Sequence, residues 1–416
     1  MMLRNSVVVL LLMIFVIPQS FMFIKLPFLS FAVIGVATGL LYGTYKINNL
    51  KYFLYYFLFS LMTAVWCIVG LINGNPTIAV IEAIRVYIGY MWVYFIIAIY
   101  ISSKKYHEHV DQIMFWASIG IGITALYALA DSVFELGWLN QNIVEEMYLQ
   151  AGVGDGYVQM NNINIGMLAF IVPYLLSRVL FEHAGSNRLL HVGLFVAFTA
   201  ALLASRRMVL LLAFLTPLIT YGVCIVGEAS NKAIRQRVIW FYLISAAIVV
   251  IGYWIVSLWS PAMLDGFMDR LLGMFRKDPD SERQLQHAAL LEGFTNDYMW
   301  GSGFGGLTDV VRSDERPWTY ELTYSRLLFN SGVIGIILLS LFFVSYFIMV
   351  MRKIRVSKHK KIYVPLLVGF VSVLIASASN PYLSSFDFLF ALSIIPLILN
   401  SRENPSSSVR TIEDRT

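Results

Sequence analysis

The sequence predicts an all-α, polytopic membrane protein of about twelve transmembrane helices with one large, mainly helical loop outside the cytoplasm. Three observations predict it: the composition, a series of apolar runs of spanning length, and the unequal placement of Lys and Arg between them. Of 416 residues, 58% are hydrophobic and 13% charged, with a mean hydropathy of +0.72. Soluble domains carry about twice that charged fraction. Such a chain cannot cover a water-facing surface, so most of its solvent must be lipid.

A helix needs about 20 mostly apolar residues to cross the hydrocarbon. Such runs cover 6–24, 27–44, 51–72, 80–101, 111–131, 162–182, 189–204, 208–226, 238–258, 324–350, 362–380 and 385–400, those at 189–204 and 385–400 being short. Several contain Pro or Gly, which membrane helices tolerate. No small-residue cleavage site follows the first run, so it is expected to stay as a helix and not to be removed as a signal peptide. The expected order is nine helices over 1–258, a loop domain over 259–322, three helices over 323–400 and a cytoplasmic tail over 401–416.

Basic residues set the orientation, because loops rich in Lys and Arg stay inside. With a cytoplasmic N-terminus the inside loops carry Arg4; Lys46 and Lys51; Lys104 and Lys105; Arg178 and Arg188; Lys232, Arg235 and Arg237; and the run "MRKIRVSKHKK" at 351–361. The outside loop 132–161 holds Glu135, Glu145, Glu146 and Asp155 and no Lys or Arg. Against this pattern, "SRR" at 205–207 puts Arg206 and Arg207 at an outward turn. Two readings fit them. Long basic side chains reach lipid phosphates from helix ends, or the pair forms an anion site at the outer surface.

Cys67 and Cys224 fall near opposite ends of the bundle and cannot pair. Five of the six histidines, His107, His109, His183, His191 and His359, lie on the cytoplasmic side, and only His287 faces out. No cluster has metal-ligand spacing, and CxxC, HExxH, P-loop and GxSxG motifs do not occur. The expectation is an activity without metal or cofactor, and no nucleic-acid partner.

The outside loop opens with "SPAMLDGFMDRLLGMFRK", whose Leu264, Phe267, Met268, Leu271, Leu272 and Phe275 recur at helical spacing, as in a helix lying on the membrane. Ser281 and Gln284 form an S-x-x-Q capping box that starts a second helix at Glu282. On it Arg283 and His287 are four apart and share a face. Arg283 is either a ligand contact or a surface partner of Asp280 or of the neighbours of His287; His287 is either functional or simply solvated. "YMWGSGFGGLTDVV" follows, with four glycines in six residues. Such a turn lets backbone approach a ligand closely, or is only a turn. Glu321 and Arg326 then enter the tenth helix where water gives way to lipid, a costly placement that implies a partner or a role. Trp318, Tyr320 and Tyr324 fit interface aromatics or a sugar-stacking platform.

The "SRR" turn, Arg283 followed by "WGSGFG", "NNINIG" at 161–166, and "ExxYxxLLxxxGxxG" at Glu321, Tyr324, Leu327, Leu328, Gly332 and Gly335 together resemble the O-antigen ligase and polymerase superfamily. These membrane enzymes join sugar chains at the outer face of the inner membrane. Each motif is short, but their order and spacing within a twelve-helix frame make the match specific.

The resemblance implies a donor glycan linked through its anomeric carbon to undecaprenyl pyrophosphate, attacked by an acceptor hydroxyl with inversion. Arg206 and Arg283 would hold the leaving pyrophosphate, with Arg207 and a buried Arg85 as helpers. Glu82, three residues before Arg85, is the alternative partner that neutralises it. Guanidinium forks match phosphate oxygens two at a time, so no metal is required. Glu321 would act as base or orient the hydroxyl, with His287, Tyr324, Trp318, Tyr320 and Asn161 near the substrate. In the ligases the Glu321 position is typically histidine, and polymerase-like members often have an acid there. His287 is distant in sequence and so a poor substitute. A polymerase is therefore expected, with a lipid-linked oligosaccharide as substrate and a chain-length regulator as partner; a ligase acting on lipid A core or protein is the alternative. A glycolipid transporter would show repeats and midplane charges, and neither is evident.

Overall fold

The computed structural model describes residues 2–17, 21–103, 109–138, 150–154, 157–161, 163–181, 188–204, 206–229, 232–259, 282–297 and 299–401. The expected surface helix at 260–277, Ser281 and the tail after 401 lie outside the described residues.

Apolar runs become helices because, in lipid, a backbone must satisfy its own hydrogen bonds. The chain runs through α1 (Met2–Val16), α2 (Met22–Leu41), α3 (Leu50–Ile72) and α4 (Thr77–Ile84). A π-helical turn at Arg85–Tyr90 leads into α5 (Met91–Ser103) and α6 (Val110–Phe134). Next come α7 (Leu168–Phe181), α8 (Arg188–Leu203), α9 (Arg207–Val226) and α10 (Lys232–Trp259). The last part contains α11 (Glu282–Asn296), α12 (Thr323–Val356), α13 (Lys360–Ala376), α14 (Phe386–Leu389) and α15 (Ile394–Asn400). Among the described residues eight helices are long and apolar enough to cross a membrane, and the architecture is that of a helical polytopic membrane protein. Among the described residues the only strands form a hairpin, Gln150–Gly154 with Tyr157–Asn161.

The span Asn164–Phe181 is 94% buried and Lys232–Trp254 only 6%, so α7 occupies the centre and α10 the rim. Cys67 and Cys224 are free and buried.

Two features depart from the expected spans. The first break falls after Val16 and not near residue 25, since Pro18 disfavours helix in the residue before it. Lys25 is consequently inside α2, fully buried, where its Nζ meets Asp387 Oδ1 at 2.6 Å. The second departure is a break inside α12 at Gly332 (φ 60°, ψ −169°). The glycine-rich loop caps it: Ser302 N donates to Phe329 O at 3.0 Å, Gly303 N to Asn330 O at 2.8 Å, and Ile334 N to Met299 O at 3.1 Å. Gly301 and Gly303 have φ of +74° and +77°, and a Cβ on Gly303 would lie 2.1 Å from Gly70 N. The glycines therefore serve backbone-to-backbone packing around a broken membrane helix.

Candidate functional site

The site is built where α11 lies along the start of α12. Helix α11 is described from Glu282 to Asn296. Its residues Arg283 and His287, one turn apart, face Glu321 and Ser325, also one turn apart. Arg283 Nε donates to Glu321 Oε2. His287 Nδ1 lies 2.9 Å from Ser325 Oγ. Between them buried Gln286 accepts the Glu321 backbone N–H at 2.8 Å. A small core of Leu290, Tyr320 and Phe329 fastens the two helices beneath these polar pairs. Arg312, from the loop before α12, reaches the other oxygen of Glu321 at 3.2 Å. Both carboxylate oxygens are thus held by guanidinium groups.

The "SRR" turn starts α9. Arg206 is its half-buried N-cap residue without a side-chain cap hydrogen bond, and Arg207 is the exposed first residue. Two cations oppose the positive end of the helix dipole, and an anion there would be favoured. The charges of Arg206 and Arg283 both act on one group, the phenol of Tyr382: burial pushes its pKa up, and the two guanidinium groups oppose that shift. The Tyr382 ring stacks on Phe388 with centroids 4.3 Å apart. Gly166 packs against this stack so closely that a Cβ would sit 2.8 Å from Phe388. "NNINIG" therefore contributes support under Tyr382. Asn161 closes the second strand opposite Gln150.

Other expected site residues take different places. Arg85 is exposed, not buried, and pairs with Glu82 at 3.1 Å, the alternative the i, i+3 spacing offers. Trp318 Nε1 donates to the same Glu82 at 2.8 Å, which ties the loop to α4 instead of leaving a free stacking edge. Tyr320 is 1% exposed with its hydroxyl on Gly306 O at 3.0 Å, so it is a core residue and no sugar platform. The Tyr324 hydroxyl donates to Leu374 O at 2.5 Å, directing its ring to the helices and not to the loop. Lastly, the sequence distance of His287 from the Glu321 motif misleads, since folding sets it against Ser325.

Arg312, Gln286, Ser325 and Tyr382 are contacts the sequence reading did not single out. Only Tyr382 carries a signal, an "NPYLSS" interruption ahead of the last apolar run. Among the described residues no group of three His, Cys, Asp or Glu side chains comes together as metal ligands would. Neither a family model nor a curated protein matches the chain. Fold and site define a helical multi-pass membrane protein with an arginine-rich polar site beside the ends of its helices.

Proposed function

We propose that this protein is a glycosyltransferase of the bacterial inner membrane, resembling the O-antigen polymerases, with about twelve spans and its site on the periplasmic face. It transfers a glycan from undecaprenyl pyrophosphate to a hydroxyl of an incoming lipid-linked repeat unit. The acceptor oxygen bonds to the anomeric carbon, and the bond from that carbon to the phosphate oxygen breaks. The electron pair leaves on the pyrophosphate, and the hydroxyl proton passes to Glu321.

One observation carries the reading: the Arg283 guanidinium is bonded to the Glu321 carboxylate where α11 meets the start of α12, an always-charged group on a proton acceptor. Such a fork, with Arg206 also near enough to act on Tyr382 as Arg283 does, suits a diphosphate leaving group, and preorganised charge of that kind commonly dominates catalysis. Glu321, held by Arg283, is the proton acceptor. Pyrophosphate binding would draw Arg283 from the carboxylate and free it to take the proton. A proton acceptor must reach the hydroxyl within about 2.6–3.2 Å.

A specific observation favours a second reading, a ligase: His287 stands near the Glu321 motif after all. Deletion of the gene separates the two. A polymerase deletion leaves single repeat units on the surface lipid, because a separate ligase still attaches them. Long chains accumulating on undecaprenyl pyrophosphate would overturn the polymerase reading in favour of the ligase.

A further inference from the structure

Among the described residues the most deeply buried ion pair joins Lys25, in the first turn of α2, to Asp387 of α14. Lys25 is fully buried and Asp387 is 2% exposed, with Nζ 2.6 Å from Oδ1. An ionisable side chain inside a membrane bundle implies a role. Stability is a poor candidate, because a well-packed apolar pair of similar volume commonly does as well or better. An ion pair supplies something an apolar pair does not, a single register, since buried charges lose far more by slipping apart.

Asp387 belongs to a segment that regular structure does not hold in place. Tyr382–Ser384 form one 3-10 turn, Ser385 is extended, and α14 is only four residues long. One helical turn does not sustain itself, because fixing its backbone gains too few hydrogen bonds. The geometry of this segment therefore comes from its contacts. Phe386 O accepts the Tyr94 hydroxyl at 2.7 Å, and the two rings stack with centroids 5.1 Å apart. Phe388 stacks on Tyr382. Asp387, between these two aromatics, makes the one ion pair of the segment among the described residues.

The other end of the segment is bonded to the start of α12, just after Glu321. Thr323 Oγ1 donates to Asn380 O at 3.0 Å, and Arg326 Nη2 donates to Ser384 Oγ at 2.7 Å. The same Nη2 donates to Tyr87 Oη at 2.6 Å, while the Nε of Arg326 is buried without an acceptor. Among the described residues no carboxylate pairs with Arg326, so it gives this end hydrogen bonds to neutral oxygens and no ion pair. Tyr382, on which the charges of Arg206 and Arg283 act, stands between the two anchored ends.

We infer that Lys25 and Asp387 are positioning residues of the candidate site: their pair fixes the register of residues 380–388, and so the place of Tyr382 relative to Glu321. Their service to transfer rests on the reading proposed above; the register does not. The pair touches no reacting atom. It acts through the turn it holds, and α2 carries the lysine because the break after Val16 brings the start of α2 to α14.

Full-length protein in detergent, with difluorotyrosine in place of Tyr382, tests this by thermal unfolding, fluorine NMR and transfer kinetics. In Lys25→Met/Asp387→Leu the unfolding temperature should return close to that of the wild type. The fluorine resonance should nevertheless shift or split, and kcat should fall on the order of 100-fold with KM little changed, the cost of a misplaced group. A pair that served stability alone would return transfer together with stability. If this variant does not fold, Lys25→Met/Asp387→Asn, which keeps the volume of the aspartate, takes its place. Failure of both to fold would make the pair structural and overturn the inference. An unmoved resonance or a wild-type kcat in a folded variant would overturn it too. If the wild type transfers no glycan, only the transfer reading falls, and the resonance still decides the register.

Discussion

Arg283 and Glu321 are joined across the α11–α12 contact, and Arg312 holds the second oxygen of the same carboxylate. The proton acceptor proposed for transfer is therefore masked at rest, and the group that masks it is one proposed to bind the leaving pyrophosphate.

Replacing either proposed phosphate arginine should stop transfer without preventing insertion. Arg206→Ala and Arg283→Ala should each lower the rate about 100–1,000-fold, the usual loss when a preorganised contact worth about 2.7–4 kcal/mol disappears. Lysine should recover little, because a point charge cannot reproduce the bidentate fork. In vitro transfer by purified protein measures it, and near-normal alanine variants would reduce "SRR" to a lipid anchor.

Glu321→Gln keeps the shape and removes the proton acceptor. A loss of about 100–10,000-fold is expected, together with the single-repeat surface phenotype. His287→Gln should cost far less. The reverse order of effects would assign the base to His287 and favour the ligase reading.

Transfer should continue in EDTA, since the arginines supply the positive charge that a metal otherwise provides at a leaving phosphate. Activity lost to chelator and restored by a divalent ion would contradict that.

Orientation is measurable with an impermeant maleimide added to sealed cells. Asp309→Cys, exposed in the loop before α12, should react. Lys358→Cys, exposed in the basic segment after α12, should not. Labelling at 358 alone would invert the topology.

Two substitutions probe the frame. Lys25→Met leaves Asp387 buried without its partner and should destabilise the protein by about 3–5 kcal/mol, with Lys25→Met/Asp387→Leu recovering much of the loss. Gly303→Ala places a methyl against the backbone of Gly70 at positive φ and should sharply reduce folded protein, whereas Gly252→Ala, with open space around it, should be tolerated. Thermal unfolding in detergent reads both.

Period and composition alone determined that this chain is helical and belongs in a membrane, because about 20 apolar residues have few other stable solutions. The helix carrying Arg283 and His287 and their shared face were also legible, since i, i+4 spacing is a local rule. What Arg283 and His287 face was not legible, because the partners Glu321 and Ser325 lie far along the chain, just before and within α12. The glycines of "WGSGFGG" read as a turn, and only packing revealed the broken α12 whose carbonyls they satisfy. Lys25 looked like a loop residue until Asp387, almost the whole chain away, neutralised it. Tyr382 and the unneutralised Arg326 acquired meaning in the same manner. Hydrophobic patterning is written residue by residue along the chain, whereas charge pairing depends on distance in space, which only the tertiary structure decided.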